Sequence, residues 1–111
     1  MDIKDFIVSE DDSVIEVMKV IDKNAKGIAF ICEKERLLAV VTDGDIRRYI
    51  LKNGDLNNLI KNIANYSPKY ATKQEAIDYT AYMKQHSITA LPIVNRNLKL
   101  LSIRFLYDNQ T

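Results

Sequence analysis

Apolar residues recur every three or four positions between residues 13 and 23. This spacing predicts a helix with one buried face, and either Ser9 or Asp12 can cap its N-terminus. A second helix with the same spacing is predicted to begin after Asp43. It should stop at Asn53-Gly54, because these residues readily adopt the left-handed conformation that ends helices.

Two strands are predicted between these helices, at residues 28–32 and 37–41. The charged residues 33–36 form the turn between them, so the strands should pair as a hairpin. After the second helix, residues 56–60 are predicted to form a short helix. A polar connector then follows and ends at Ser67-Pro68.

The second half of the chain has the same order of patterns. Thr72 can cap a helix predicted over residues 74–86, which carries apolar residues at core spacing. Residues 91–94 and 99–103 are predicted to form a second hairpin, with residues 95–97 as its turn. A counterpart of the first half's last helix is missing, and we interpret the chain as a piece of a longer protein rather than as a naturally trimmed repeat.

A shift of 63 residues (27 to 90) superposes the two halves without a gap. It pairs Ser9 with Thr72 and Gly27 with Ala90, and it continues through the hairpins to residue 108. We therefore predict two repeats, residues 1–66 and 67–111. Each repeat is too short to bury a good core alone, so the two should share one core.

Composition excludes several classes of function. Sixteen Lys and Arg against fifteen Asp and Glu give a net charge of +1, without the basic surface that nucleic-acid binding needs. No apolar run approaches the roughly 20 residues of a membrane span, and the N-terminus has no signal-peptide pattern. We expect a soluble, cytoplasmic protein that binds neither nucleic acid nor membrane. Cys32, the single cysteine, is interpreted as a buried strand residue without metal or disulfide.

The turn from Thr42 to Asp45 follows a strand and opens a helix. We expect free backbone N–H groups there, and together with the helix dipole they favour a phosphate. Thr42 adds a hydroxyl, and the carboxylate of Asp45 can accept both hydroxyls of a ribose. Arg47 and Arg48 oppose the dipole unless an anion lies between them. Alternatively, both arginines pair with Asp43 and Asp45 on a solvated surface.

The order helix, strand, strand, helix with this turn resembles a tandem pair of cystathionine-β-synthase (CBS) domains, also called a Bateman module. In the first repeat the resemblance lies in Leu37-Leu38-Ala39-Val40-Val41-Thr42-Asp43-Gly44-Asp45-Ile46-Arg47-Arg48. In the second it lies in Ile88-Thr89-Ala90-Leu91-Pro92-Ile93-Val94-Asn95. The resemblance implies an α+β, sandwich-like fold in which two βαββα-type repeats pack with pseudo-two-fold symmetry.

The resemblance also implies an adenosine-nucleotide site in the first repeat. The phosphate and ribose would contact Thr42, Asp45, Arg47 and Arg48. The base would lie beside Val8, Ser9, Gly27, Ile28 and Ala29, with Pro92 packed on it from the second repeat. Alternatively, Gly27 only ends the preceding helix, and Pro92 only opens an edge strand.

The second repeat departs from this pattern. Phe105 stands where the first repeat has Thr42, and a phenyl ring cannot donate to a phosphate. We therefore expect at most a weak second site, formed by Ala90, Leu91 and Asp108.

The leading hypothesis is a non-catalytic regulatory module that requires no cofactor and senses AMP, ADP or ATP. Within the family, it looks most similar to modules fused to bacterial sugar-1-phosphate nucleotidylyltransferases, so the expected partners are such an enzyme and a second copy in a homodimer. The alternative is a ligand-free structural module that dimerises. A small stand-alone enzyme is disfavoured.

Three other groups of residues are not expected to form functional sites. Magnesium at Asp43-Gly44-Asp45 lacks further patterned carboxylates, so no metal site is expected. His86 is interpreted as a helix cap rather than a catalytic base. The cluster of Tyr66, Tyr70, Tyr79 and Tyr82 is interpreted as packing in the core or a dimer.

Overall fold

The computed structural model describes residues 2–73 and 78–107, which contain two three-stranded sheets and three α-helices. This arrangement confirms the predicted mixed α+β class. The chain divides into two compact units, unit 1 over Met1–Pro68 and unit 2 over Lys69–Thr111.

Residues 2–68 of unit 1 contain three strands and two α-helices. In chain order they are β1 (Ile7–Val8), α1 (Val14–Asn24), β2 (Ile28–Glu33), β3 (Arg36–Thr42) and α2 (Asp43–Leu51). The middle strand, β2, pairs parallel with β1 and antiparallel with β3. The two-residue strand β1 was not predicted, since so short a segment leaves no pattern of alternation.

Unit 2 repeats this sheet with one described helix. Its elements are β4 (Ala71–Thr72), α3 (Tyr79–Gln85), β5 (Ala90–Val94) and β6 (Leu100–Phe105). The prediction that Thr72 caps the helix is wrong, because Thr72 lies in β4 and Asp78 caps α3 by accepting from the Ala81 amide at 3.1 Å. Residues 74–77, the predicted first turn, lie outside the described residues.

The start of α1 is fixed by a capping box that the sequence prediction missed. Ser13 Oγ accepts from the Glu16 amide at 3.2 Å, and Glu16 Oε1 accepts from the Ser13 amide at 3.0 Å. The hydrogen bonds that Glu16 Oε1 accepts from the Ser13 amide and from the Ser13 hydroxyl lower the pKa of Glu16. Ser9 and Asp12, the predicted caps, instead close a turn of their own, in which the Ser9 amide donates to Asp12 Oδ2. The missed signal was the spacing Ser-x-x-Glu.

The hairpin turn is shorter than predicted. Lys34 and Glu35 both have positive φ, 50° and 70°, as a two-residue turn of type I′ requires. The predicted stop of α2 is correct in position, since Asn53 has a φ of 63° just after the helix. Gly54 is needed for another reason, because a Cβ there would lie 2.3 Å from the Tyr49 ring.

The segment from residue 55 to residue 68, called the connector, packs on unit 1. The predicted helix over residues 56–60 is wrong, and a 3₁₀ turn lies at Ile60–Asn62 instead. Carbonyls of Leu56 and Asn58 accept from the first amides of α1, at 3.0 and 2.9 Å. The connector thus satisfies amides that a helix N-terminus leaves without partners, and polarity alone did not reveal this role.

The two sheets differ by one residue in register. Ile28 faces Thr42 in the first hairpin and Ala90 faces Phe105 in the second, so β5 follows β2 by 62 residues while β6 follows β3 by 63. The buried core residues follow the same offset of 62, since Ala29 and Ile31 of β2 correspond to Leu91 and Ile93 of β5. The gapless alignment is therefore wrong in β5. The turn after β5 is one residue longer, since five residues separate the paired Val94 and Leu100 whereas four separate the paired Cys32 and Leu37.

The core of unit 1 lies between its sheet and its two helices. Val14, Val17 and Ile21 of α1 pack there against Ala29 and Ile31 of β2. The other face of β2 is also buried, at Ile28 and Phe30. Cys32 lies only half-buried near the end of β2, where burial raises the pKa of its thiol to about 11.

Asn24 is a buried polar residue at the end of α1, with 3% of its surface exposed. Its Nδ2 donates to the carbonyls of Asp5 and Ile28 at 3.1 and 3.0 Å, and its Oδ1 accepts from the Lys26 amide at 2.9 Å. The side chain therefore joins the N-terminal segment, the helix end and the start of β2.

We predict that Asn24→Ala lowers the free energy of unfolding by about 2 to 3 kcal/mol, because it leaves buried backbone groups without partners. Urea denaturation measures the change. Asn57→Ala, at an exposed position of the same unit, should change stability by less than about 0.5 kcal/mol. Equal effects of the two substitutions would contradict the role given to Asn24.

Candidate functional site

Thr42 and Asp45 form a second capping box at the start of α2. Thr42 Oγ1 accepts from the Asp45 amide at 3.2 Å, and Asp45 Oδ2 accepts from the Thr42 amide at 3.0 Å. Both side chains are partly buried. The Thr-x-x-Asp spacing was predicted as a ligand motif, but its local role as a helix cap was missed.

Backbone amides in this turn already have partners. The Asp43 amide donates to the Gly27 carbonyl at 2.9 Å, and the Gly44 amide donates to Asp43 Oδ1 at 2.9 Å. The expectation of free amides from Thr42 to Asp45 is therefore wrong, because the turn's own carboxylates and the neighbouring loop satisfy them. An anion at this place must be held mainly by side chains.

Two side-chain groups keep hydrogen-bonding capacity. Thr42 Oγ1 accepts within the capping box, so its hydroxyl proton is available to donate outward. Asp45 accepts from the Thr42 amide and from Arg48 Nη2, and each of its oxygens has a further lone pair. One donor and one acceptor thus face the same turn.

Both predicted arginines lie over Gly44. A Cβ added at Gly44 would lie 3.3 Å from Arg48 Nη1 and 3.5 Å from Arg47 Nη2, so glycine leaves room for both guanidinium groups. Arg48 pairs with Asp45 at 2.8 Å, with 62% of the arginine side chain exposed, which matches the surface-pair alternative. Arg47 forms no hydrogen bond or ion pair with the described residues and remains available for an anion.

The predicted base-contacting residues occupy adjacent strands of unit 1. Val8 in β1 pairs with Ile31 of β2, and the segment Gly27-Ile28-Ala29 leads into that same strand. Gly27 has a φ of +74°, and a Cβ there would lie 3.3 Å from the Asp43 carboxylate. Val8, Ile28 and Ala29 are buried, whereas Ser9 is exposed. Glycine at position 27 therefore serves both the left-handed turn and its contact with α2.

A groove of about 550 Å³ lies between α1 and α2. It is called the α1–α2 groove, and its apolar lining consists of Met18, Ile21, Ala25, Ile46, Ile50 and Leu51. Gly27 and the charged side chains of Asp22, Asp43 and Arg47 complete it. Of the predicted ligand residues, the groove brings together Gly27 and Arg47, but not Thr42, Asp45 or the β1 segment.

In unit 2, the position that corresponds to Thr42 has no hydroxyl group to donate. The Leu106 amide donates to the Thr89 carbonyl at 3.0 Å, as Asp43 does to Gly27 in unit 1, so Phe105 corresponds to Thr42. Ala90 faces Phe105, and Leu91 is fully buried in the core. Asp108 lies outside the described residues, and the weak second site remains a prediction.

Pro92 is fully buried in β5, opposite Ile103. It lies in the middle strand of its sheet rather than opening an edge strand, so that alternative is wrong. Its contact with a base remains a prediction.

The histidine and the tyrosines make local contacts. His86 is the C-cap of α3 and packs against Tyr82 with ring centroids 4.3 Å apart. The guanidinium of Arg104 lies 5.0 Å from the centre of the Tyr79 ring. Tyr66 donates a hydrogen bond to Glu10, and partial burial together with this carboxylate raises its pKa to about 12. Each of these contacts joins a tyrosine to a residue of its own unit.

Two other features are absent from residues 2–73 and 78–107. No cluster of three or more His, Cys, Asp or Glu side chains in these ranges could hold a metal ion. No helix in them is long and apolar enough to cross a membrane.

Residues 1–52 match the CBS domain family model. This segment runs from the N-terminus through β1, α1, β2, β3 and α2, and therefore contains the whole Thr42–Asp45 turn.

The fold of the chain matches solved pairs of CBS domains. A CBS domain protein from Pyrobaculum aerophilum, PAE2072, solved as a complex with AMP, superposes with a TM-score of 0.81 and 27% identity. The match covers 92% of this chain and 80% of that protein. The CBS domain pair of MJ0100, solved with 5′-methylthioadenosine and S-adenosyl-L-methionine, has a TM-score of 0.78 at 21% identity, over 93% of this chain and 82% of that one. At this identity the second likeness concerns the fold alone.

Several curated relatives carry the name arabinose 5-phosphate isomerase. Arabinose 5-phosphate isomerase GutQ of Escherichia coli O6:H1 is 31% identical over 86% of this chain and 30% of the relative's length. A probable arabinose 5-phosphate isomerase of Haemophilus influenzae is 34% identical over 72% of this chain and 25% of its own length. The chain thus spans less than a third of either relative. These names do not include the predicted nucleotidylyltransferase.

We predict that Thr42→Ala lowers the free energy of unfolding by about 1 kcal/mol, because α2 loses its N-terminal cap. Thr42→Ser should recover most of this loss, since serine offers the same oxygen to the Asp45 amide. Urea denaturation of both variants checks the prediction. If serine and alanine destabilise equally, the hydroxyl contributes nothing as a cap.

Proposed function

We propose that this chain is a non-catalytic regulatory module that binds an adenosine nucleotide at the first turn of α2. The chain is 27% identical to a CBS domain protein solved as a complex with AMP, over 92% of its length. No catalytic group and no cofactor are required for such a role. The fold likeness supports the class of protein, and the site geometry supports the place of binding.

The presence of Thr42, Asp45, Arg47 and Arg48 at the first turn of α2 carries this proposal. Thr42 can donate its hydroxyl proton to a phosphate oxygen, and Arg47 and Arg48 bring two positive charges to the same turn. Asp45 can accept hydrogen bonds from ribose hydroxyls through its remaining lone pairs. A phosphorylated ribose therefore matches the site better than a phosphate or an uncharged nucleoside alone.

The regulated enzyme is proposed to act on a phosphorylated sugar. The sequence resemblance predicts a sugar-1-phosphate nucleotidylyltransferase, whereas the curated relatives are named arabinose 5-phosphate isomerases. Because those relatives match most of this chain, we favour the isomerase. Assays of both reactions in the protein that contains this chain, with and without AMP, distinguish the two enzymes.

We predict that AMP at 100 times its dissociation constant raises the free energy of unfolding by about 2.7 kcal/mol. Asp45→Ala should abolish this gain because it removes the ribose acceptor. Thermal and urea denaturation with AMP, ADP, ATP and CMP-, GDP- or UDP-linked compounds measure the effect. Asp55→Ala is the matched control, since Asp55 also caps a turn, at 2.8 Å from the Asn57 amide, but lies outside the site.

Absence of a shift with every compound would contradict nucleotide binding. An equal loss of the AMP effect in Asp45→Ala and Asp55→Ala would contradict the assignment of Asp45.

The α1–α2 groove favours a second function, homodimerisation. Ile50 and Leu51 line this groove with 40% and 75% of their surface exposed. Together with the other apolar lining residues they form a continuous exposed apolar surface, which is typical of an interaction site. Asp22 and Asp43 lie on the same groove as Arg47, so two copies related by a two-fold axis can pair opposite charges. We propose a second copy of the chain as the occupant of this groove.

We predict a dimer for the unmodified protein and a monomer for Leu51→Glu, because the substitution places a charge in the apolar contact. Multi-angle light scattering at micromolar concentration measures the mass of both. Leu101→Glu is the control, since Leu101 is 39% exposed but lies in β6. A monomeric unmodified protein, or a dimeric Leu51→Glu variant, would contradict this interface.

A further inference from the structure

The connector runs beside the turn that leads into α1. The Ile60 amide donates to the Asp12 carbonyl at 2.8 Å, and Ser13 and Leu59 form an antiparallel bridge. Ile60 is fully buried in the core of unit 1. The first part of the connector is therefore anchored by both backbone hydrogen bonds and an apolar side chain.

The last part of the connector is anchored at Asn65 and Tyr66. Asn65 exchanges two backbone hydrogen bonds with Val40 of β3, both at 2.9 Å. The next residue, Tyr66, donates its hydroxyl to Glu10 Oε2. Unit 1 ends two residues later, at Pro68. The Tyr66–Glu10 hydrogen bond is thus made close to the point where the chain passes to unit 2.

Glu10 belongs to the turn that also contains Ser9. The Ser9 amide donates to Asp12 Oδ2 at 2.9 Å, and the Asp12 amide donates to the Ser9 carbonyl at 3.1 Å, so residues 9–12 form one closed turn. This turn follows Val8 directly, and Val8 and Ser9 are the predicted contacts of the base. The connector therefore holds a predicted wall of the nucleotide site through Ile60 on one side and Tyr66 on the other.

We propose that the Tyr66–Glu10 hydrogen bond, called the latch, couples nucleotide binding to the packing of the connector on unit 1. The coupling rests on the proposed nucleotide function, whereas the latch itself rests only on contacts within unit 1. A ligand that orders residues 9–12 strengthens the latch, and by linkage a closed latch strengthens ligand binding. The regulated element is the end of unit 1, from which the chain continues to unit 2.

Hydrogen exchange of the ligand-free protein tests the latch. Tyr66→Phe removes only the donor, so the amides of Ile60 and Asn65 and those of residues 9–12 should exchange about three- to tenfold faster. Tyr70→Phe is the matched control, because Tyr70 is 43% exposed and Tyr66 is 45% exposed. Glu10→Ala should reproduce the effect, and the double variant should add nothing further. Unchanged exchange in Tyr66→Phe, or additive effects, would overturn the latch.

Addition of AMP tests the coupling. AMP should slow exchange at residues 9–12 and at Asn65 in the unmodified protein, and Tyr66→Phe should weaken AMP binding about three- to tenfold by calorimetry while Tyr70→Phe leaves it unchanged. Protection of residues 9–12 without protection of Asn65 would overturn the coupling. Lack of any AMP binding by the unmodified protein would overturn both the coupling and the nucleotide function. The hydrogen-exchange rates of the ligand-free variants would still show whether the Tyr66–Glu10 hydrogen bond holds the connector.

Discussion

The mutual hydrogen bonding of Thr42 and Asp45 is the interaction on which the candidate site depends. It ends β3, starts α2 and fixes the turn over which both arginines lie. The same two side chains therefore determine the local fold and present the groups that a nucleotide would contact. Because their amides are used internally, the site relies on the Thr42 hydroxyl, the Asp45 carboxylate and the guanidinium groups rather than on the backbone.

This arrangement also sets an electrostatic balance. Asp43 and Asp45 place two carboxylates in the first turn of α2, where they interact favourably with the helix dipole. Arg47 and Arg48 compensate these charges over Gly44. The proposed phosphate would add negative charge to a turn that already contains two carboxylates, so the arginines would offset this repulsion as well as donate hydrogen bonds.

Sequence patterns predicted the larger elements of the fold and much less of their connections. Val14, Val17 and Ile21 predicted α1, and apolar runs predicted the two hairpins, because these residues pack in a core with a regular period. The connector was mispredicted since its order comes from backbone hydrogen bonds to α1 and β3, which leave no periodic signal. At the site, the residue types at positions 42 to 48 indicated anion chemistry, but the capping box that uses the turn's amides went unrecognised.

The one-residue difference in register between β2 and β5 matters for any attempt to engineer symmetry into this chain. A glycine meant to copy Gly27 belongs at position 89, where Thr89 accepts from Leu106, and not at position 90, where Ala90 faces Phe105. A donor meant to copy Thr42 belongs at position 105. Residues transplanted between the halves with one uniform offset would reach the opposite face of β5, and so a duplicated site would have to be designed strand by strand.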